Sequence, residues 1–172
     1  MSILSYWLSI VSLGLMILAS LTDGKKMKKI LLLLFSGNVL LATSYLLGGK
    51  GIVGAATSYL ASLMTIINYF FESKNRLIPK WLTVTYLVSL ISVNIIVSGG
   101  VTGLGLIVIA ASVSFVMCIG QKKGKKYRLW VLANLMLWCM YDIFSGSYSV
   151  LITHLSQALF AVAGVLIRDR KE

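Results

Sequence analysis

Asn38 and Tyr45 stand seven residues apart in the apolar run "NVLLATSYLLGG", and ninety-six positions later "NLMLWCMYDIFS" carries Asn134 and Tyr141 at the same spacing. Residues at i, i+3 and i+7 share one face of a helix, so each amide and its phenol point the same way. An amide offers donors and an acceptor, and a phenol adds a hydroxyl on a flat ring. Such a pair can bind a small polar solute. Trp138, in the middle of the second run, adds a stacking surface beside Tyr141. Asp142 and His154 flank the short turn "SGSY". Carboxylates and imidazoles inside a membrane often relay protons, and histidine ordinarily titrates in the useful range. The candidate solute contacts are therefore Asn38, Tyr45, Asn134, Trp138 and Tyr141, and the proton-coupling candidates are Asp142 and His154. Two plainer readings stand beside these. Polar side chains in membrane helices often only bond neighbouring helices, and an Asp142 at the membrane surface is simply hydrated.

The elements that hold these residues are set by composition. Of 172 residues, 58% are hydrophobic, 12% are charged and one is proline. Ordinary soluble domains are about one quarter charged, and one small domain cannot hide so much apolar surface. The chain reads as an all-α integral membrane protein. Seven runs approach the roughly twenty apolar residues that a span requires, at about 3–21, 30–48, 52–71, 81–98, 101–119, 129–145 and 148–167. The opening run lacks a basic segment before it, so it is expected to be a retained helix and not a signal peptide. Trp7, Trp81, Trp130 and Tyr127 lie near run ends and read as interfacial anchors.

The net charge of +11 does not point to nucleic acid, because the cations lie in four short clusters between apolar runs. Alternating seven helices gathers Lys25, Lys26, Lys28, Lys29, Lys74, Arg76, Lys80, Lys122, Lys123, Lys125, Lys126, Arg128, Arg168, Arg170 and Lys171 on one side, leaving Lys50 on the other. Lys and Arg are kept on the cytoplasmic face during insertion. The N-terminus is then outside with Lys50 and Ser147, and the C-terminus inside.

Catalysis has little support. Ser145, Ser147, His154 and Asp142 could be imagined as a hydrolase set, but no G-x-S-x-G elbow is present, and serines in turns are ordinary. One histidine is too few for a conventional zinc site, and Cys118 and Cys139 lie in apolar runs, against a disulfide framework. Gly48, Gly49, Gly51 and Gly54 lack the phosphate-loop Lys-Ser. We expect no enzyme activity, no metal and no cofactor. The expected partners are a small polar or cationic solute and the lipid bilayer, with homo-oligomerisation left open.

Residues 25–76 align without a gap on 121–172, pairing Lys26 with Lys122, Lys29 with Lys125, Leu41 with Leu137 and Thr57 with Thr153. This suggests two three-helix repeats, 1–76 and 101–172, joined by a lone helix within 77–100. Three helices end on the side opposite to their start, so one extra crossing lets the second triplet run parallel to the first. Asn38 lies about eight residues into its run, about 12 Å deep and near the bilayer middle. Two such faces turned inward would enclose a polar cavity.

This three-one-three pattern resembles the SWEET, PQ-loop and KDEL-receptor superfamily, in which parallel repeats form a transporter. "YWLSIVSLGLMILAS", "YLLGG" and "WCMYDIFSGSYS" are similar to the YgjV-type bacterial inner-membrane proteins. The wider resemblance implies passage of small polar molecules across the cytoplasmic membrane. The sugar facilitators share a Pro-Gln motif and helix-kinking prolines, whereas the single proline here is Pro79 in a loop. Gly14, Gly37, Gly103 and Gly105 could supply flexibility instead, or mark close packing. The rival to a transporter is a non-transporting scaffold or receptor whose polar residues only secure helix packing.

Overall fold

The computed structural model describes residues 3–48, 52–97, 99–100, 102–146 and 148–168. Lys50, Ser147, Arg170 and Lys171 lie outside them. Within these limits the chain forms seven α-helices: α1 (Ile3–Leu21), α2 (Met27–Gly48), α3 (Ile52–Ser73), α4 (Lys80–Val97), α5 (Gly103–Ile119), α6 (Gly124–Ser145) and α7 (Tyr148–Arg168). Helices are what apolar runs must form in lipid, where each backbone N–H and C=O needs a partner within its own segment. The first four segments are long and apolar enough to cross a membrane, counting the short turn Gly24–Lys26 with α2. The helix α5 is apolar but shorter, and α6 opens on lysines.

The run ends follow local chemistry. Asp23 accepts from the Lys25 backbone N–H at 2.9 Å and starts a 3-10 turn, Gly24–Lys26, that leads into α2. Gly99 and Gly100, with φ of 72° and 137° that other residues rarely adopt, turn the chain between α4 and α5. Thr102 then caps α5 by accepting from Gly105 N–H at 3.0 Å. The helices α2 and α6 begin at 27 and 124, earlier than the apolar runs at 30 and 129. Long basic side chains extend toward water while their backbone continues the helix, so hydropathy understates both elements.

Each helix packs on the next, and α7 returns against α1 to close the bundle. Two apolar clusters fill its lysine-bearing end. One joins Leu31, Met64, Leu82, Tyr86, Leu90, Val116 and Ile119, and the other joins Ala19, Met27, Ile30, Cys118 and Tyr127. Large apolar side chains such as Ile96 and Leu159 cover the outside, 75% and 72% exposed, as a lipid-facing surface requires. The helix α4 is held by two polar bridges. Tyr86 donates to Asn68 Oδ1 at 3.0 Å while Asn68 Nδ2 donates to the Ile119 carbonyl at 3.0 Å. Farther along, Thr57 donates to Asn94 Oδ1 at 2.8 Å and Asn94 Nδ2 donates to Ser112 at 2.9 Å.

Candidate functional site

A cavity of about 590 Å³ lies inside the bundle, lined by six of the seven helices in depth and by Leu90 from α4. It reaches from Ser5, Gly48 and Gly54 at the lysine-poor end down to Ser20, Cys118 and Tyr127 at the other. Among the described residues, seven serines and two threonines line it, and no Lys, Arg, Asp or Glu does so. In α1, Ser5, Ser9 and Ser12 follow at four and three residues and Ser20 eight residues later, which places them on one stripe. Ser5 and Ser44 exchange hydroxyl-to-carbonyl bonds at 2.9 and 2.8 Å, and Ser9 meets the Ser44 hydroxyl at 2.6 Å. Lower down, Ser12 donates to the Gly37 carbonyl at 2.8 Å. A Cβ on Gly37 would sit 3.1 Å from Met16 Cγ, so this glycine serves close packing of α1 on α2.

The two asparagines differ in their surroundings. Asn134 lines the cavity, but its Nδ2 donates to the Ala111 carbonyl at 2.6 Å and to Ser114 Oγ at 3.1 Å. It ties α6 to α5. Asn38 also lines the cavity and is 7% exposed, yet its Nδ2 has no hydrogen-bond partner among the described residues. No described hydroxyl reaches Asn38 Nδ2 in the way that Ser114 reaches Asn134. A buried unpaired amide costs about 1–3 kcal/mol, and a ligand oxygen would relieve that cost.

Tyr45 lies on the cavity wall over Gly54, where a Cβ would stand 2.9 Å from its ring. Trp138 lines the cavity as well, and its indole stacks on the His154 ring at 5.9 Å and 28°. Tyr141 is set behind this wall, edge-on to Trp138 at 5.6 Å. Asp142 is behind it too, with its Oδ2 2.7 Å from His154 Nδ1. The side chains of Asp142 and His154 are 3% and 12% exposed, so Asp142 is buried and not a hydrated surface group. The aspartate orients the imidazole through Nδ1, and His154 is itself part of the cavity lining. Tyr45 and Cys139 lie within electrostatic range of the carboxylate.

Two residues read as surface groups prove to be interior. Tyr127 is 1% exposed and lines the cavity floor, so it is not an interfacial anchor. Arg128 is fully buried; its Nε donates to the Ser20 carbonyl at 2.9 Å and its Nη2 donates to the Thr22 carbonyl. The last carbonyls of α1 have no partner within the helix and carry its negative dipole end. A guanidinium, with its planar fork of donors, satisfies two at once. The side chain fits because Gly164 of α7 leaves room: a Cβ there would overlap the Ser20 carbonyl and lie 2.8 Å from Arg128 Nε. Gln157 adds an α7–α1 link through Met16 Sδ at 2.8 Å. Together these contacts seal α1, α6 and α7 below the cavity. Residue identity alone hides this role, since Arg128 closes a run of ordinary loop cations.

Among known families, residues 3–171 match Imp-YgjV, described as bacterial inner membrane protein. No curated protein and no solved structure matches the chain.

Proposed function

The chain belongs to the Imp-YgjV family of bacterial inner membrane proteins, and on that premise we propose that it carries a small uncharged polar solute across the cytoplasmic membrane. The cavity between α1–α3 and α5–α7 is the passage, each triplet being one repeat with α4 as the connector. The lysine-bearing end faces the cytoplasm, so the cavity extends toward the outer side and the Arg128 seam lies at its inner end. The unpaired amide of Asn38 carries this reading. An interior amide left without a protein partner, in a chamber of hydroxyls and aromatic rings, suits a ligand that brings its own acceptor oxygen. With no Lys, Arg, Asp or Glu among the described lining residues, a cation would lose its hydration with little compensation. A neutral solute fits better than a cation.

Asn38 and Asn134 therefore give opposite expected results. Asn38→Leu should abolish the thermal stabilisation given by a bound solute, which otherwise follows mass action, and should leave the unliganded melting temperature unchanged or higher. Asn134→Leu should lower stability by about 0.6–2 kcal/mol through its lost bonds to α5 and largely keep binding. A neutral-solute library screened by melting temperature, then repeated on both variants, reads both effects. Retained binding in Asn38→Leu would reject the site.

The second reading is a scaffold that moves nothing, and the amides of Asn134, Asn94 and Asn68, all committed to interhelical bonds, favour it. The screen separates the two, because a scaffold responds to no solute. The Asp142–His154 pair gives a further expectation. A proton passed between this hydrogen-bonded pair and the outside should make solute binding depend on external pH. Asp142→Asn and His154→Gln should each flatten that profile while the protein stays folded. An unchanged profile in both would restrict the pair to a structural role.

A further inference from the structure

We propose that a groove over the α1–α6 seam binds a phosphate-bearing anion, and that the occupant holds this end of the bundle shut. The groove encloses about 510 Å³ and is lined by Gly24, Lys25, Lys122, Lys123, Lys125 and Lys126. Its lysines come from two loops distant in sequence, which meet where a Cβ on Gly124 would overlap the Gly24 backbone. Five lysines from the two loops thus line one groove. The acidic side chains beside them are committed elsewhere or lie to one edge. Asp23 caps the Lys25 backbone N–H, and Glu72 reaches Lys122 at 3.6 Å.

Retention of positive loops on one membrane face requires only that lysines be on that side. It does not require lysines of two distant loops to line one groove. Gathering them there is costly, since like charges repel. The backbone adds to this cost. Lys123 caps α6 without a side-chain cap bond, and the first turn holds Lys125 and Lys126 with no acidic residue, at the positive end of the helix dipole. A phosphate group removes the repulsion and complements the dipole together, and lysine ammonium groups are established phosphate ligands. Directly beneath, Arg128 ties α6 to the end of α1. Parting these helices separates the lysines of the two loops, so the closed seam must bind the anion more tightly than the open one. By linkage, the anion then favours closure.

Holding the seam shut rests on the transport reading above; anion binding itself does not. The test uses full-length protein carrying Cys139→Ser, purified in neutral detergent and titrated with inorganic pyrophosphate at ionic strength fixed with chloride. Melting temperature should rise to saturation, and alkylation of Cys118, on the cavity floor, should slow in parallel. The double variant Lys123→Gln/Lys126→Gln should be as stable or more so without anion, and should bind pyrophosphate roughly tenfold more weakly. A second arm compares nanodiscs of phosphatidylcholine with and without phosphatidylglycerol. If lipid headgroups are the source, the anionic discs reproduce the slowing and blunt the pyrophosphate response. If a free phosphate is the source, the two discs respond alike to pyrophosphate. A pyrophosphate effect no larger than that of chloride, together with indifference to phosphatidylglycerol, overturns the site. Stabilisation with unchanged Cys118 alkylation overturns the holding role, and neither result bears on solute binding through Asn38.

Discussion

Replacing Arg128 by Leu should cost about 3 kcal/mol, because charge-assisted hydrogen bonds are worth about 1.5–3 kcal/mol each and their carbonyl partners stay behind unsatisfied. The guanidinium is fully buried and reaches two carbonyls at the end of α1. Leucine fills part of the volume, yet it donates nothing to Ser20 or Thr22. A buried ion can sometimes be exchanged for apolar residues at no cost, but only when both sides of the interaction are replaced, and backbone carbonyls cannot be. Arg128→Lys should recover roughly half of the loss, since one ammonium lacks the fork that spans both carbonyls. Thermal unfolding of purified variants checks this, at about 2–4 °C per kcal/mol for a chain of this size. A melting temperature for Arg128→Leu equal to that of the parent would refute the seam as a stabilising contact.

The second large effect is expected at Gly164. In Gly164→Ala the new methyl would overlap the Ser20 carbonyl and press on Arg128 Nε and Cδ, at 2.8 and 3.1 Å. The first obstacle is backbone that is already held by Arg128, so it cannot yield alone. The helix α7 must then withdraw from α1, at the 1–3 kcal/mol typical of overpacking, roughly. Gly14→Ala is the matched control, because nothing lies within 4 Å of its Cβ. There the higher helix propensity of alanine should stabilise by up to about 1 kcal/mol. Opposite signs for two Gly→Ala changes in one bundle would trace the effect to the seam. The double variant Gly164→Ala/Arg128→Leu should be less destabilised than the two losses added, since one obstacle disappears with the arginine. Strict additivity would mean that Gly164 does not serve Arg128.

Much of this architecture can be read from the residues. Unbroken apolar runs mark the helices, and Gly99–Gly100 marks the tight turn that the structure contains. The meeting of Asp142 with His154 at 2.7 Å follows from chain geometry, because a short turn brings neighbouring helix ends to one height. The division of labour between Asn38 and Asn134 could not be read in this way. It depends on whether a hydroxyl from another helix reaches the amide, and spacing along one helix carries no information about that. Arg128 was hidden for a related reason. Its helix begins five residues before its apolar run, so a residue placed in a loop by hydropathy is already helical and can aim inward. Asn68 and Asn94 went unread in the sequence, since a polar residue within an apolar run does not say which helix it bonds. The structure shows them bridging α4 to α3 and α5.

The seam also has a place in the order of synthesis. Arg128 follows the carbonyl of Ser20 by 108 residues, and Gly164 comes later still. At ribosomal speeds of 5–20 residues per second, roughly 5–20 seconds pass between the emergence of α1 and that of its partner. During that interval α1 can settle against α2 through its serines, but the end of α1 waits with unsatisfied carbonyls. A nascent chain stalled before α6 is therefore incomplete at one defined place, the end of α1 that Arg128 later joins.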